Sequence, residues 1–334
     1  MSSPRGGSRG MWQHYVTTSS PDVVLAERDS CHTWPMRIIE EAVIRDVVSV
    51  ADARQAVHDA FCAFAAGGVI APDEMAMKLD HGGELHVKGA YLGGDVIAFK
   101  SATGGFPGGG NSGFTAVLDA HTGAPVAILR DGGWLTEMRT AAASAVSALA
   151  LARPEAARLA ILGGGFQAAF QVAALRDAFA LGSVAVWSRT PQTTERFAAE
   201  NQAEPANSVA AAVADADIVI CCTPSREPLV FASMLAPGTH VIAMGADMTG
   251  KRELAADVLD QAAVICVDST NVTSRVGELQ HAPDHVGRAI ELGQVLVGTA
   301  PGRTSDQDLT VVDLCGLGIQ DAAMAQLVMH RLPS

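Results

Sequence analysis

The chemistry of this chain begins at Gly163-Gly164-Gly165-Phe166-Gln167-Ala168, a G-x-G-x-x-A run between an apolar strand pattern and a helical one. In that setting each small residue has a task. Gly163 permits a tight turn, Gly165 lets the backbone approach a pyrophosphate, and Ala168 keeps the next helix close to the sheet. The free N–H groups and the positive dipole end of that helix suit phosphate oxygens. Phe166 and Gln167 occupy the variable positions and count as cofactor-side candidates. Such a run is a weak signal alone, and its weight comes from the strands and helices around it. The choice of dinucleotide depends on the end of the next strand, where NAD-specific sites place an acid against the ribose 2′-OH. Here that strand ends Trp187-Ser188-Arg189-Thr190, with no acid. Arg189 can pair with a 2′-phosphate, aided by the Ser188 and Thr190 hydroxyls. NADP(H) is therefore expected, with NAD(H) as the alternative. Thr223 and Gly245, which close two later strand patterns, complete the cofactor-side candidates.

The elements that must position these residues follow from the apolar pattern. RLAILG (158–163), SVAVWS (183–188), DIVICCT (217–223), THVIAMG (239–245) and AVICVDS (263–269) are Val/Ile/Ala-rich runs with helical stretches between several of them. That is the signature of parallel strands buried on both faces. Upstream, Met36 to about Val69 repeats at helical spacing, with Ser49 and Asp52 as a capping box. ELHVKGAYL, DVIAFKSAT, FTAVLDA and APVAILR then read as strands, separated by turns such as His121-Thr122-Gly123 and Asp131-Gly132-Gly133. Helices followed by a run of strands indicate an α+β unit with a mostly antiparallel sheet. RTAAASAVSALALA (139–152) has strong helix propensity. LTVVDLCG and DAAMAQLVMHRL, a strand and a helix, are expected to fold back onto the N-terminal unit. The fold class is thus α/β, a Rossmann-type doubly wound parallel sheet (139–304) with an α+β substrate-binding and dimerisation unit (36–138 and 305–334). Residues 1–35 read as a loose tail without the apolar core of a signal peptide, and Met36 as the expected start.

Bulk composition narrows the function. The formal net charge is −13, from 23 basic and 36 acidic residues, and such a surface repels nucleic acid and anionic lipid. No apolar run reaches the length of about 18 residues that a membrane span needs. The six cysteines form no C-x-x-C pair and no Cys/His cluster with zinc spacing, so no metal is expected. They read as reduced thiols of a cytoplasmic protein.

LTEMRTAAASAVSALALA, AILGGGFQA, VIAMGADMTGKREL and VVDLCGLGIQDAA, in this order, resemble the ornithine cyclodeaminase/mu-crystallin family over about residues 70 to 327. The resemblance implies a dimer with a substrate unit completed by the C-terminal helix, and a nicotinamide cofactor on the Rossmann unit. It implies action on imines of 2-oxo acids or on the matching amino acids. Arg139 matches the arginine that holds the substrate carboxylate, a task suited to a planar bidentate guanidinium. Lys100 matches the sheet lysine beside the same carboxylate or the reacting nitrogen, and a lysine in an apolar strand is unusual unless paired or functional. Asp247 matches the acid used for proton transfer and follows a strand at the sheet's carboxyl end. Its plainer role would be capping the Thr249–Leu254 turn.

The pattern also breaks. Many members carry an arginine two residues after the proline that here is Pro72, and this chain has Glu74. Lys88-Gly89 stands where relatives often read Met-Pro. Lys88 either replaces the missing cation or pairs with Glu74, and His86, two residues earlier on the same strand face, is a further pocket candidate. Gly316 to Asp321 is assigned to domain packing and the nicotinamide edge. The leading expectation is an NADPH-dependent reductase of a 2-imino acid, cyclic ones included, working as a homodimer on a small molecule. The alternatives are a cyclodeaminase, an amino acid dehydrogenase and a non-catalytic binding protein.

Overall fold

A computed structural model describes residues 36–107 and 112–333. The expected loose tail at 1–35 lies outside the described residues. The strands assort into two sheets. The first comprises β1 (Arg37–Glu40), β2 (Met75–Lys78), β3 (Glu84–Ala90), β4 (Val96–Gly104), β5 (Ser112–Asp119) and β6 (Pro125–Arg130), in the order β1-β6-β5-β4-β3-β2. All neighbours are antiparallel except β1 and β6. Helix Gly318–Arg331 lies across β3 and β4, and helix Val50–Ala65 packs against it. The capping box at that second helix is present: Ser49 Oγ accepts from Asp52 N at 3.1 Å.

One sequence reading of this unit needs correction. The helical spacing does not start at Met36, because Arg37-Ile38-Ile39-Glu40 forms β1 in register with Ala127–Arg130. Two adjacent β-branched residues with a free sheet edge to pair override the spacing. Strand β2 carries no pattern that announces it, since Met75, Ala76, Met77 and Lys78 are all exposed.

The second sheet comprises β7 (Arg158–Leu162), β8 (Ser183–Trp187), β9 (Glu204–Pro205), β10 (Ile218–Cys221), β11 (His240–Ala243), β12 (Val264–Val267), β13 (Ile290–Glu291) and β14 (Thr310–Asp313). Its order is β13-β12-β14-β11-β10-β7-β8-β9 and every pair is parallel. All residues of β10, β11, β12 and β14 are buried, as strands covered on both faces must be. The chain runs from β7 outward to β8 and later returns to β7's other side with β10. That reversal opens a crevice at the carboxyl ends of these strands, the usual ligand position in such sheets. The α/β Rossmann-type class is therefore correct.

The tail divides differently from the expectation for 305–334. Strand β14 inserts between β11 and β12, and only helix Gly318–Arg331 joins the antiparallel sheet. A Thr-Val-Val-Asp strand with both faces apolar belongs in a doubly covered parallel sheet, not on a half-exposed one. The boundary placed at residue 139 falls inside helix Trp134–Leu151. This helix packs against both Val50–Ala65 and Phe166–Ala178, and its residues from Ala141 to Ala148 are all buried. Alanine and serine at those positions let the neighbouring helices approach closely. Among the described residues no helix is long and apolar enough to cross a membrane.

Candidate active site

The glycine turn sits at the carboxyl end of β7. Gly163 has φ +122°, and a Cβ there would lie 2.7 Å from the Cys222 carbonyl oxygen, so only glycine fits without strain. Gly165 caps helix Phe166–Ala178 with no side-chain hydrogen bond, and a Cβ there would meet nothing within 4 Å. Uncapped N–H groups facing open space suit a pyrophosphate. Ala168 is fully buried against the sheet. A cavity of about 270 Å³ runs from this turn to the end of β8, with Arg189 and Thr190 exposed at its wall. The Ser188 hydroxyl is engaged within the turn, donating to Thr190 O at 3.0 Å and lying 2.9 Å from Thr194 Oγ1. These groups fit a dinucleotide. Phe166 lies elsewhere: it is 67% exposed and faces the lobe that holds Lys100 and His86.

Thr223 bounds both this cavity and a second one of about 320 Å³, which Gly245, Gln167, Arg139, Asp247 and Gly316 also line. Arg139 is delivered by helix Trp134–Leu151, whose entry is set by Asp131-Gly132-Gly133. Both glycines have positive φ, and Asp131 Oδ2 accepts from Leu135 N at 2.8 Å. The buried Arg139 places Nε 3.2 Å from Asp321 Oδ1 and donates from Nη1 to Gln320 Oε1 at 2.9 Å. Lys100, on β4, brings its ammonium to 3.3 Å from the same Asp321 oxygen. The sheet register sets Lys88 of β3 directly opposite Lys100. Two lysines in that relation repel unless acids intervene. Asp321 is one such acid. Glu74 is the other, with Oε2 3.5 Å from Lys88 Nζ and Oε1 2.6 Å from His86 Nδ1. Lys88 also donates to Gly316 O at 3.0 Å. Arg139, Lys100 and Lys88 thus gather around Asp321 and Glu74, with Glu137 on the wall of the Arg139 cavity.

Burial pulls the Lys100 ammonium down to about 8, with Asp321 holding it up and Arg139 and Lys88 pushing it further down. Burial raises Asp321, but Lys100, Arg139 and Lys88 outweigh it and hold its carboxyl below the ordinary value. Asp247 follows β11, is half-exposed, and places Oδ1 2.5 Å from Lys251 Nζ. Its partner is thus a lysine, while the N–H groups of Gly250 to Leu254 donate to other acceptors and leave the turn uncapped by Asp247.

The candidates do not all meet in one chamber. His86 and Lys100 line a lobe of about 460 Å³ that shares Glu137 with the central cavity. Glu74 and Lys88 line another of about 630 Å³ that shares Gly316. Sequence reasoning missed Asp321, read there as packing, although a lone acid in the apolar run GIQDAAMAQLV signals a buried partner. It also missed Glu137, whose carboxylate accepts from Gln167 Nε2 and so ties the arginine helix to the fingerprint helix. Glu253, which accepts hydrogen bonds from Thr223 and Gly245, was missed because no local pattern marks an acid whose donors are two backbone N–H groups and a hydroxyl.

Comparison with known proteins agrees with this geometry. The structure superposes on that of an archaeal alanine dehydrogenase dimer with bound NAD at TM-score 0.82 and 29% identity, covering 88% of this chain and 95% of the other. The iminosuccinate reductase of Paracoccus denitrificans, in complex with NAD+, gives TM-score 0.80 and 29% identity over 88% and 95%. The ketimine reductase mu-crystallin of Mus musculus is 32% identical over 276 residues, 78% of this chain and 85% of its own. The family model spans residues 36–334, further toward the N-terminus than the motifs alone reach. The family model over residues 36–334 and a relative 32% identical over most of both chains agree: this chain belongs to the ornithine cyclodeaminase/mu-crystallin family.

Proposed function

We propose that this chain is an NADPH-dependent reductase of a 2-imino acid, cyclic imines included, giving an L-amino acid. The observation that carries this reading is the meeting of Arg139 and Lys100 at one carboxylate, with Arg139 and Asp247 lining a cleft that shares Thr223 with the cavity of the glycine turn. Arg139 takes the substrate carboxylate as a planar fork, which fixes the orientation of the adjacent C=N bond. Lys100 neutralises the same carboxylate from the sheet. Asp247, or a water linked to it, manages the proton of the nitrogen, since a protonated imine has the more electrophilic carbon. When bound, a dihydronicotinamide supplies the hydride that completes reduction of the C=N bond. Residues of the glycine turn, with Thr223 and Gly245, would hold it. The absence of an acid at the end of β8 and the exposed Arg189 support NADP(H).

The test is consumption of NADPH, beside NADH, against 2-oxo acids with amines and against cyclic imino acids. Faster turnover with NADPH is expected, and silence across the panel overturns the reading. The Glu74 lobe, lined by Asp73, Glu74 and Glu291 against Lys88 and Arg275, supports a second reading, a cyclodeaminase acting on an amino acid with a distal amine. Such an enzyme releases ammonia from a diamino acid without net consumption of the cofactor.

A homodimer fits the outer face of the antiparallel sheet. Met75 and Phe114 fall on one line of that face, Met77 lies beside them, and all three are exposed. Replacing Met75 and Met77 by glutamate should shift the particle mass to that of a monomer in light scattering, and an unchanged mass would remove this face from the interface.

A further inference from the structure

We propose that Glu253 is a positioning residue for the cofactor pocket, holding Thr223 and Gly245, and with them the segment that carries Asp247, at the central cavity. The inference rests on the dinucleotide reading above. Glu253 is fully buried and accepts from three donors on two segments: Thr223 N at 2.7 Å, Thr223 Oγ1 at 2.6 Å and Gly245 N at 2.8 Å. Thr223 follows β10 and Gly245 follows β11, and both line the cavity that Arg139 and Asp247 share. The fit leaves no slack, since a Cβ on Gly245 would stand 2.6 Å from Glu253 Oε1. Asp247 lies in the stretch between Gly245 and Glu253 and is therefore pinned at both ends.

The acid is itself fixed from behind. Its backbone N–H donates to Glu278 Oε1 at 2.7 Å, and Glu278 N donates to Asp313 Oδ2 at 2.8 Å, at the last residue of β14. Three buried carboxylates thus link the loops after β10 and β11 to the end of β14 through backbone N–H groups. Burying a carboxylate without a cation is costly, and an apolar side chain would fill the same space more cheaply. What the carboxylate supplies is two acceptor oxygens for donors on two cofactor-facing loops. Glutamine has the same shape but turns one acceptor into a donor, so it must oppose either Thr223 N–H or Gly245 N–H.

The experiment measures the dissociation constant of NADPH and of NADH, by tryptophan fluorescence, for wild type, Glu253→Gln, Thr223→Val and the double variant. Thermal denaturation establishes that each is folded. A donor left facing a donor should weaken binding of the preferred cofactor by about tenfold. Because both substitutions cut one contact, the double variant should lose less than the product of the single losses. Folded Glu253→Gln that binds within about twofold of wild type, or losses that simply multiply, would overturn the proposal. If Glu253→Gln does not fold, Glu253→Asp decides, because it keeps both acceptors but is too short to reach both loops: threefold or greater weakening, roughly the loss of one neutral hydrogen bond, supports the proposal and an unchanged constant overturns it. Wild type that binds neither cofactor would overturn the dinucleotide reading, whereas a selective loss in the variants leaves that reading standing.

Discussion

Replacing Asp321 by asparagine removes one negative charge from a site whose shape hardly changes. The consequence falls on Lys100, whose ammonium lies 3.3 Å from the carboxylate and is already pulled down to about 8 by burial. At that separation and an effective dielectric of about 20, the attraction is roughly 5 kcal/mol before desolvation is set against it. An opposite charge at such range usually moves a pKa by roughly 1–3 units. Without Asp321, burial and the charges of Arg139 and Lys88 outweigh what Asp131 and Glu137 supply, and Lys100 is expected to lose its proton near or below neutrality. The assay is the pH profile of kcat/KM for the carboxylate substrate. In wild type the profile should fall above about 8, where Lys100 becomes neutral. In Asp321→Asn that fall should move to lower pH by roughly one unit or more. Lys100→Arg is the control, because a guanidinium keeps its charge throughout and should abolish the limb. A limb in Asp321→Asn that coincides with wild type would refute the coupling. The same shift has a stability counterpart. Between about 8 and 10.5 the unfolded lysine keeps a proton that the folded one has shed, so this group makes the protein more stable as pH rises through that window.

Arg139→Ala should lower kcat/KM by roughly 100-fold or more, since it removes the oriented carboxylate contact, and a loss under about threefold would exclude Arg139 from that role. Arg139→Lys should recover only part of the loss, because a point charge cannot replace a planar fork. Arg189→Ala should raise KM for NADPH by about tenfold and leave that for NADH within about twofold, the signature of a 2′-phosphate contact; equal effects on both cofactors would refute it. Glu74→Gln leaves Lys88 without its acid and adds one positive charge to the cleft. Steady-state comparison of dicarboxylic with monocarboxylic imino acids should then shift roughly three- to tenfold toward the dicarboxylic substrate, and an unchanged ratio would place Glu74 outside substrate recognition.

Local patterns made much of this protein legible in its sequence. The five Val/Ile-rich runs between helices gave the parallel sheet, because strands buried on both faces must be apolar at successive positions. The fingerprint from Gly163 to Ala168 marked the turn, since backbone conformation and close packing restrict which residues fit there. Ser49 and Asp52 announced their helix start through a contact made within one turn. Arg139, Lys100 and Asp247 stood out from their motifs, but nothing local said what they touch. Tertiary structure alone put Asp321, from the last helix, between Lys100 of a central strand and Arg139 of the buried helix. It alone paired Glu74 with both His86 and Lys88, which the sequence left as two alternatives for Lys88. It also threaded β14 between β11 and β12 and set Glu253 against both its own loop at Gly245 and the separate loop at Thr223. The physical reason is common to all of these. Periodicity and turn chemistry reflect forces between near neighbours along the chain, whereas charge compensation and backbone satisfaction depend on which segments the sheets bring together.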